Sequence, residues 1–355
     1  MESTSPGSAP GVARRPELRK DPISGRWVII ATERSNRPLQ LTDPPGLVSA
    51  LDCPFCNGNE TETPHEVAAW RDPASSADRQ GWQVRVVPNK FPALRGPGEA
   101  DAHRDGVFEG MQGIGVHEVI IEAPEHVASL TQVRPANVQA TLRLYRDRLR
   151  HWKRDARLVY GMIFKNVGSQ AGASLEHTHS QLIALPVVPI NVRDEMEGSL
   201  AHYQEQGECV FCAMTRQESA QRQRIVLETE RFTAFCPYAS RFPYETWILP
   251  RRHESHFEEM PDTEVPHLAE LLQSVLSRLE SALSRPAYNY ILHTSPFDSP
   301  LLPHYHWHLE IIPRLTRIAG FEWGTGFYIN PVLPERAAAQ LRDASSVPGV
   351  VKEAP

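Results

Sequence analysis

Two cysteine pairs, and the histidines that follow them, are the residues best suited to chemistry. Cys53 and Cys56 form a Cys-x-x-Cys hook, with His126 and His177 further along the chain. Cys209 and Cys212 repeat the hook, followed by His253 and His304. In both copies the two histidines are 51 residues apart. Two thiolates and two imidazoles make a closed tetrahedral zinc set with no position left for substrate, so each site is expected to be structural. Only the first copy continues as His177-Thr178-His179-Ser180-Gln181, which assigns the reaction to the first half. Alternate side chains of a strand share a face, so His177, His179 and Gln181 point the same way. One can reach a metal while the next faces a substrate.

His179 is the candidate nucleophile. A neutral imidazole attacks phosphorus and then leaves readily, so one displacement becomes two. Gln181 offers an amide donor to a phosphate oxygen. Ser174, at the end of the Gly/Ser-rich loop 167–174, adds a hydroxyl and backbone N–H groups. His126 is the third zinc ligand by the repeat, since it and His253 each follow a predicted strand; His117 and His103 are nearby alternatives.

The elements that must position these residues read as α+β. Strands fit 26–32, 82–87, 117–122 and 158–166. A helix fits 134–153, with Leu142, Tyr145 and Leu149 on one face. The second half repeats the order: strands at 232–236, 245–249, 288–293 and 305–313, and a helix at 263–283. Residues 87–92 and 236–243 echo one another. The expected organisation is a disordered tail over 1–20, an N-terminal half over 21–190 bearing the active site, a connection over 191–208, a C-terminal half over 209–345, and a second tail over 346–355. The chain has 355 residues and a net charge of −6, with a pI near 6.2, which argues against a nucleic-acid partner. No apolar run approaches the length of a membrane span. Five cysteines, four of them in hooks, fit a reducing, cytoplasmic compartment better than a disulfide framework.

The segment from Asn166 through Ser174, His177 and His179 to Gln181 resembles the active-site segment of the galactose-1-phosphate uridylyltransferase branch of the histidine triad superfamily. The similarity runs from Asp21–Trp27 to Gly320–Glu322. It implies two histidine-triad-like half-domains, each an antiparallel sheet with a long helix. It implies a homodimer, and double-displacement transfer of a nucleoside monophosphate from a nucleotide sugar to a sugar-1-phosphate through a nucleotidyl-histidine. The matching contacts are Asn166, Ser174, Gln181, Arg34 and Arg37 for phosphate, Asn89 for the nucleotide, and Phe321 with Glu322 for the sugar.

The chain departs from that family's pattern in two places. The bacterial enzymes' second metal site is a Glu/three-His iron site, for which Glu195, His293, His306 and His308 stand in suitable positions. The second hook with His253 and His304 instead makes a zinc set, and the repeat favours zinc, two ions per chain. Thr178 and Ser180 replace prolines common in the uridylyl enzymes. This hydroxyl-rich run is similar to that of plant-type ADP-glucose phosphorylases. The leading expectation is a UDP-glucose:galactose-1-phosphate uridylyltransferase. The alternatives are an adenylyl enzyme using phosphate as acceptor, a hydrolase, and a zinc-stabilised nucleotide-binding scaffold without catalysis.

Overall fold

The computed structural model describes residues 16–36, 52–96, 98 and 101–344. Arg37 and the tail 346–355 lie outside them. The chain opens with β1 (Glu17–Lys20) and β2 (Trp27–Ile30), then β3 (Ala68–Arg71), β4 (Trp82–Pro88), a hairpin of β5 (His103–Asp105) and β6 (Phe108–Gly110), and β7 (Val116–Ile121). Helix α1 (Pro135–Trp152) precedes β8 (Tyr160–Val167) and β9 (His179–Leu185). Helices α2 (Ile190–Gln206) and α3 (Val210–Gln221) lead to β10 (Ile225–Glu228), β11 (Phe232–Phe235) and β12 (Thr246–Pro250). Helix α4 (Val265–Ala282), β13 (Tyr288–His293), β14 (His308–Pro313), α5 (Gly320–Thr325), β15 (Tyr328–Asn330) and α6 (Pro334–Asp343) complete it.

Ten strands form one sheet in the order β10-β11-β12-β14-β13-β8-β9-β7-β4-β3, and every listed neighbour in it pairs antiparallel. The two halves each supply five strands and meet where β13 pairs β8. The order β4, β7, α1, β8, β9 recurs as β11, β12, α4, β13, β14. This is the α+β, duplicated histidine-triad-like fold, with the two half-sheets fused into one. Residues 17–20, expected within a disordered tail, instead form β1, which joins β2 and β15 in a small separate sheet. The expected connection over 191–208 is largely the helix α2.

Period sets the two faces. Helix α1 begins with a proline in its first turn, where the missing N–H costs nothing, and buries Val138, Leu142, Tyr145 and Leu149. Helix α4 buries Leu268, Leu272, Val275 and Leu279 in the same way. Both pack on one face of the sheet, meeting Val84, Val86, Ile120, Leu182, Ala184, Leu309 and Ile311. The alternate residues of those strands face the other side. There Val87, Val119 and Ile121, joined by Trp82 beyond an irregularity in the β3–β4 pairing, pack with Phe55 of the first hook, and Phe235, Trp247 and Leu249 pack with the second hook. The helices thus leave the opposite face free for metal and substrate.

Candidate active site and metal centres

The first hook closes on both expected histidines. Cys56 Sγ lies 3.3 Å from His126 Nδ1, and His177 Nδ1 is 3.6 Å from the sulfurs of both Cys53 and Cys56. Zinc–sulfur and zinc–nitrogen bonds of about 2.3 and 2.1 Å at tetrahedral angles put neighbouring donors about 3.6 Å apart. His177 Nε2 donates to the Ala123 carbonyl at 2.8 Å, which leaves Nδ1 bare as the ligand. Burial pulls His177 down to about 4, so the ring is neutral and ready to bind a cation. Burial first, and then the neighbouring Cys53, push the Cys56 thiol up to about 11, and a bound divalent cation would offset that cost. The residues therefore fit zinc. His117 and His103 are not in the set; His103 lies on the exposed β5.

Strand β9 starts at His179 and carries its ring to a cavity of about 730 Å³, also lined by Gln181, Ser174, Asn89, Phe55 and Val119. His179 is 6% exposed. Its Nδ1–H donates to the His177 carbonyl at 2.7 Å, so Nε2 holds the free lone pair. Burial, reinforced by the Lys165 charge, lowers the ring below the usual histidine range and keeps it neutral. Phe55 meets the ring edge-on, with centroids 5.2 Å apart. The first hook and His179 are thus one packed unit.

Behind the strand, Thr178 and Ser180 point the other way, into a wholly buried polar cluster. Glu122 accepts from both hydroxyls at 2.5 Å, from Tyr145 at 3.0 Å, and from Lys165. Lys165 Nζ also donates to Thr178 Oγ1 at 2.8 Å and to the His179 carbonyl at 2.9 Å. Tyr145 in turn meets Tyr290 of β13, so the cluster spans both halves. Burial would raise the Glu122 carboxyl, but Lys165 and the hydroxyls outweigh it and hold it low. The hydroxyl run, with Lys165, thus pins the backbone of His179 from the core side. It was read from sequence only as a departure from a family pattern. Its signal in the sequence is a lysine inside the apolar strand β8 and a glutamate directly after the apolar strand β7.

Known proteins resemble this chain over most of its length. A family model described as "Galactose-1-phosphate uridyl transferase, N-terminal domain" matches residues 12–189. Another, described as a domain of unknown function (DUF4921), matches 116–346. The chain is 37% identical to an ADP-glucose phosphorylase of Arabidopsis thaliana over 93% of each chain. It is 30% identical to a galactose-1-phosphate uridylyltransferase of Thermotoga maritima over 92% of this chain and 98% of that one. The chain belongs to the galactose-1-phosphate uridylyltransferase family. A crystal structure of an Arabidopsis thaliana ADP-glucose phosphorylase with bound ADP-glucose superposes on this member with a TM-score of 0.80 at 36% identity, covering 93% and all of the two chains. The chain is a nucleotidyltransferase by this kinship.

The second hook of this uridylyltransferase-family chain requires a correction. The fourth donor that gathers at it is His306, not His304. Cys209, Cys212, His253 and His306 bring their donor atoms together, with Cys212 Sγ 3.4 Å from His253 Nδ1 and 3.7 Å from His306 Nδ1. His253 Nε2 donates to the Leu302 carbonyl at 2.9 Å, repeating the support that Ala123 gives His177. His304 contributes its backbone carbonyl to Cys209 instead. The physical reason is position along the strand. His177 is two residues before His179, and His306 is two residues before His308, its counterpart on β14. The equal 51-residue interval was a coincidence of loop length.

His306 therefore leaves the mixed carboxylate–imidazole group expected for iron. Glu195, His293 and His308 still assemble, joined by Glu310, as a separate third cluster. His293 Nε2 and His308 Nε2 are buried without a hydrogen-bond partner, and both lie within 4 Å of the Glu310 carboxylate. Glu310 was missed from the sequence, although it is offset from His308 as Gln181 is from His179.

The remaining family positions are dispersed. Asn89 and Ser174 line the cavity with His179. Asn166 is on β8, and the β8–β9 register, continued past Phe164 and Gln181, sets it opposite His179. Its Oδ1 accepts from Asn289 at 2.7 Å, and Asn289 also holds the Ala171 carbonyl of the Gly/Ser loop at 2.8 Å. Asn289 was not foreseen. Arg34 is exposed on a 3-10 turn after β2, and Phe321 and Glu322 lie on α5; none of the three lines the His179 cavity.

Proposed function

We propose that this protein transfers a nucleoside monophosphate from a nucleotide sugar through a nucleotidyl-His179 intermediate. The observation that carries the reading is the 2.7 Å bond from His179 Nδ1 to the His177 carbonyl, which aims an unprotonated Nε2 into the cavity. In the first half-reaction the Nε2–phosphorus bond forms and the bond from the α-phosphorus to the bridging oxygen breaks. The sugar-1-phosphate leaves with that electron pair. The imidazole becomes cationic, keeps its Nδ1 proton and is stabilised by the His177 carbonyl. Gln181, Ser174 and Asn166 supply donors to the non-bridging oxygens. In the second half-reaction a phosphate oxygen of the acceptor attacks phosphorus and returns the pair to Nε2.

The first donor–acceptor reading is UDP-glucose with galactose-1-phosphate, supported by the family model and by the uridylyltransferase relatives. ADP-glucose with inorganic phosphate is the second reading, supported by the 37% identity to the Arabidopsis phosphorylase. Zinc is held by the Cys53 set and the Cys209 set, two ions per chain, and supplies scaffold rigidity; the Glu195 cluster suits a harder ion such as iron. A homodimer accounts for Arg34, Phe321 and Glu322 standing away from the cavity, since a partner copy can bring its own. A cytoplasmic setting suits five unpaired cysteines.

The test is intact-protein mass spectrometry after mixing with UDP-glucose or ADP-glucose separately. A uridylyl adduct discharged by galactose-1-phosphate supports the first reading, and an adenylyl adduct discharged by phosphate the second. The His179→Ala variant should form neither adduct and keep its zinc; an adduct on that variant overturns the assignment.

A further inference from the structure

His117 lies outside the His179 cavity, yet it touches the catalytic amide. It sits on β7 two residues from Val119, which pairs with Gln181, so it is a diagonal neighbour of Gln181 on the same face. Its Nε2 is 2.7 Å from Gln181 Oε1. Its Nδ1 is 3.1 Å from the backbone nitrogen of Ala93.

A backbone N–H can only donate, so Nδ1 of His117 accepts and carries no proton. The ring proton therefore resides on Nε2, which donates to Gln181. The group it meets must then be the amide oxygen, and the Gln181 NH2 turns the other way. Asn89 adds to the same restraint. Its Oδ1 is occupied by the Phe91 N–H at 2.8 Å, so its Nδ2 donates to the Gln181 oxygen at 3.5 Å, while its 3.1 Å approach to the protonated His117 Nε2 is a contact between two donors and no hydrogen bond. A glutamine amide is nearly symmetric in shape, and turned over it would present its oxygen to a phosphate. That orientation repels the anion instead of holding it.

We infer that His117 is a positioning residue for nucleotidyl transfer: it relays the fixed orientation of the Ala93 amide through its ring and locks Gln181 with its donor toward the phosphate. This rests on the reading of Gln181 as a phosphate contact. The relay also ties the catalytic amide to the loop 89–96, whose Asn89, Lys90 and Phe91 line the cavity. A shift of that loop around a nucleotide would register directly at Gln181.

The experiment is single-turnover formation of the nucleotidyl-enzyme by wild type, His117→Phe, His117→Gln, His117→Glu, Gln181→Ala and the His117→Phe/Gln181→Ala double variant. Each is checked for zinc content and melting temperature. His117→Phe should slow adduct formation about 10- to 100-fold, the usual effect of losing an orienting partner. His117→Gln can accept from Ala93 and donate to Gln181, and should recover most of that rate. His117→Glu presents only acceptors and should be slower than His117→Gln by at least tenfold. In the Gln181→Ala background the His117→Phe change should add less than about threefold, because its effect runs through Gln181.

A His117→Phe rate equal to wild type, full additivity with Gln181→Ala, or equal rates for His117→Gln and His117→Glu would each overturn the inference. If His117→Phe loses its fold, the Gln-against-Glu comparison still decides it. If wild type forms no adduct with any donor, it is the proposed function that fails, and the two failures are told apart.

Discussion

Replacing Lys165 by methionine removes one partner of a fully buried ion pair and leaves the other in place. Both side chains are inaccessible to solvent. In the variant Glu122 keeps three hydroxyl donors, from Thr178, Ser180 and Tyr145, but no cation. Breaking a buried pair from one side costs about 3–5 kcal/mol, because an uncompensated charge remains in a low-dielectric interior. The surviving hydroxyls place this case toward the lower end, about 3 kcal/mol. At roughly 2 °C per kcal/mol for a chain longer than 250 residues, the melting temperature should fall by about 6 °C. The Lys165→Met/Glu122→Gln double variant has no stranded charge and should recover at least half of that loss. Differential scanning calorimetry on the zinc-loaded protein measures both. Adduct formation should also slow in the single variant, since Lys165 holds the His179 carbonyl. A Lys165→Met melting shift below 1 °C, or a double variant no better than the single, would refute the view that this pair braces the nucleophile strand.

Three further outcomes follow from other parts of the molecule. Metal analysis should find one zinc fewer in His306→Ala and an unchanged content in His304→Ala; the reverse would restore the interval-based assignment. Burial pushes Asp78 up, but the Glu66 N–H, His65 and Arg85 outweigh it and hold the carboxyl at about 2. A folded value below the unfolded one gives stability that is present above about pH 4 and is lost as pH falls toward 2. Asp78→Asn should remove roughly 1 kcal/mol at pH 6 after allowance for solvent screening, and flatten the acid limb of a urea-midpoint against pH plot; an unchanged limb would show that the carboxylate contributes nothing. A methyl group at Gly198 in α2 would sit 1.8 Å from the Ile23 carbonyl oxygen. Gly198→Ala should therefore destabilise by about 2 kcal/mol or more, read as a lower melting temperature, and a neutral result would mean that the turn at 21–25 yields easily.

Strongly periodic and chemically distinctive parts were legible in the chain alone. Helices α1 and α4 announced themselves through leucines at helical spacing, and the first zinc set through a hook followed by histidines at strand ends. Short strands such as β3, β10 and β15 carried too few residues for any period to show. Helix α2 was taken for a connection because polar residues dominate its surface and only Val192 and Ser199 are buried. His304 was preferred to His306 because counting residues between histidines ignores insertions in the intervening loops; distance from the strand residue that follows is the better ruler. The separation of the Glu195 cluster from the second hook could not be read at all. It depends on which way three alternating histidines point, and that is set by pairing across β12, β13 and β14.

The pairing of β13 with β8 makes the two halves depend on one another. The second half carries Glu310 where the first has Gln181, so the position that offers an amide donor in one half offers a carboxylate in the other. Across the seam, Asn289 of the second half steadies Asn166 and the loop before His179, and Tyr290 closes the buried cluster beneath it. The ten-stranded sheet is therefore held together across its centre by side chains as well as by the backbone, so that cutting the chain between the halves would strip Asn166, the loop 167–174 and Tyr145 of partners at once.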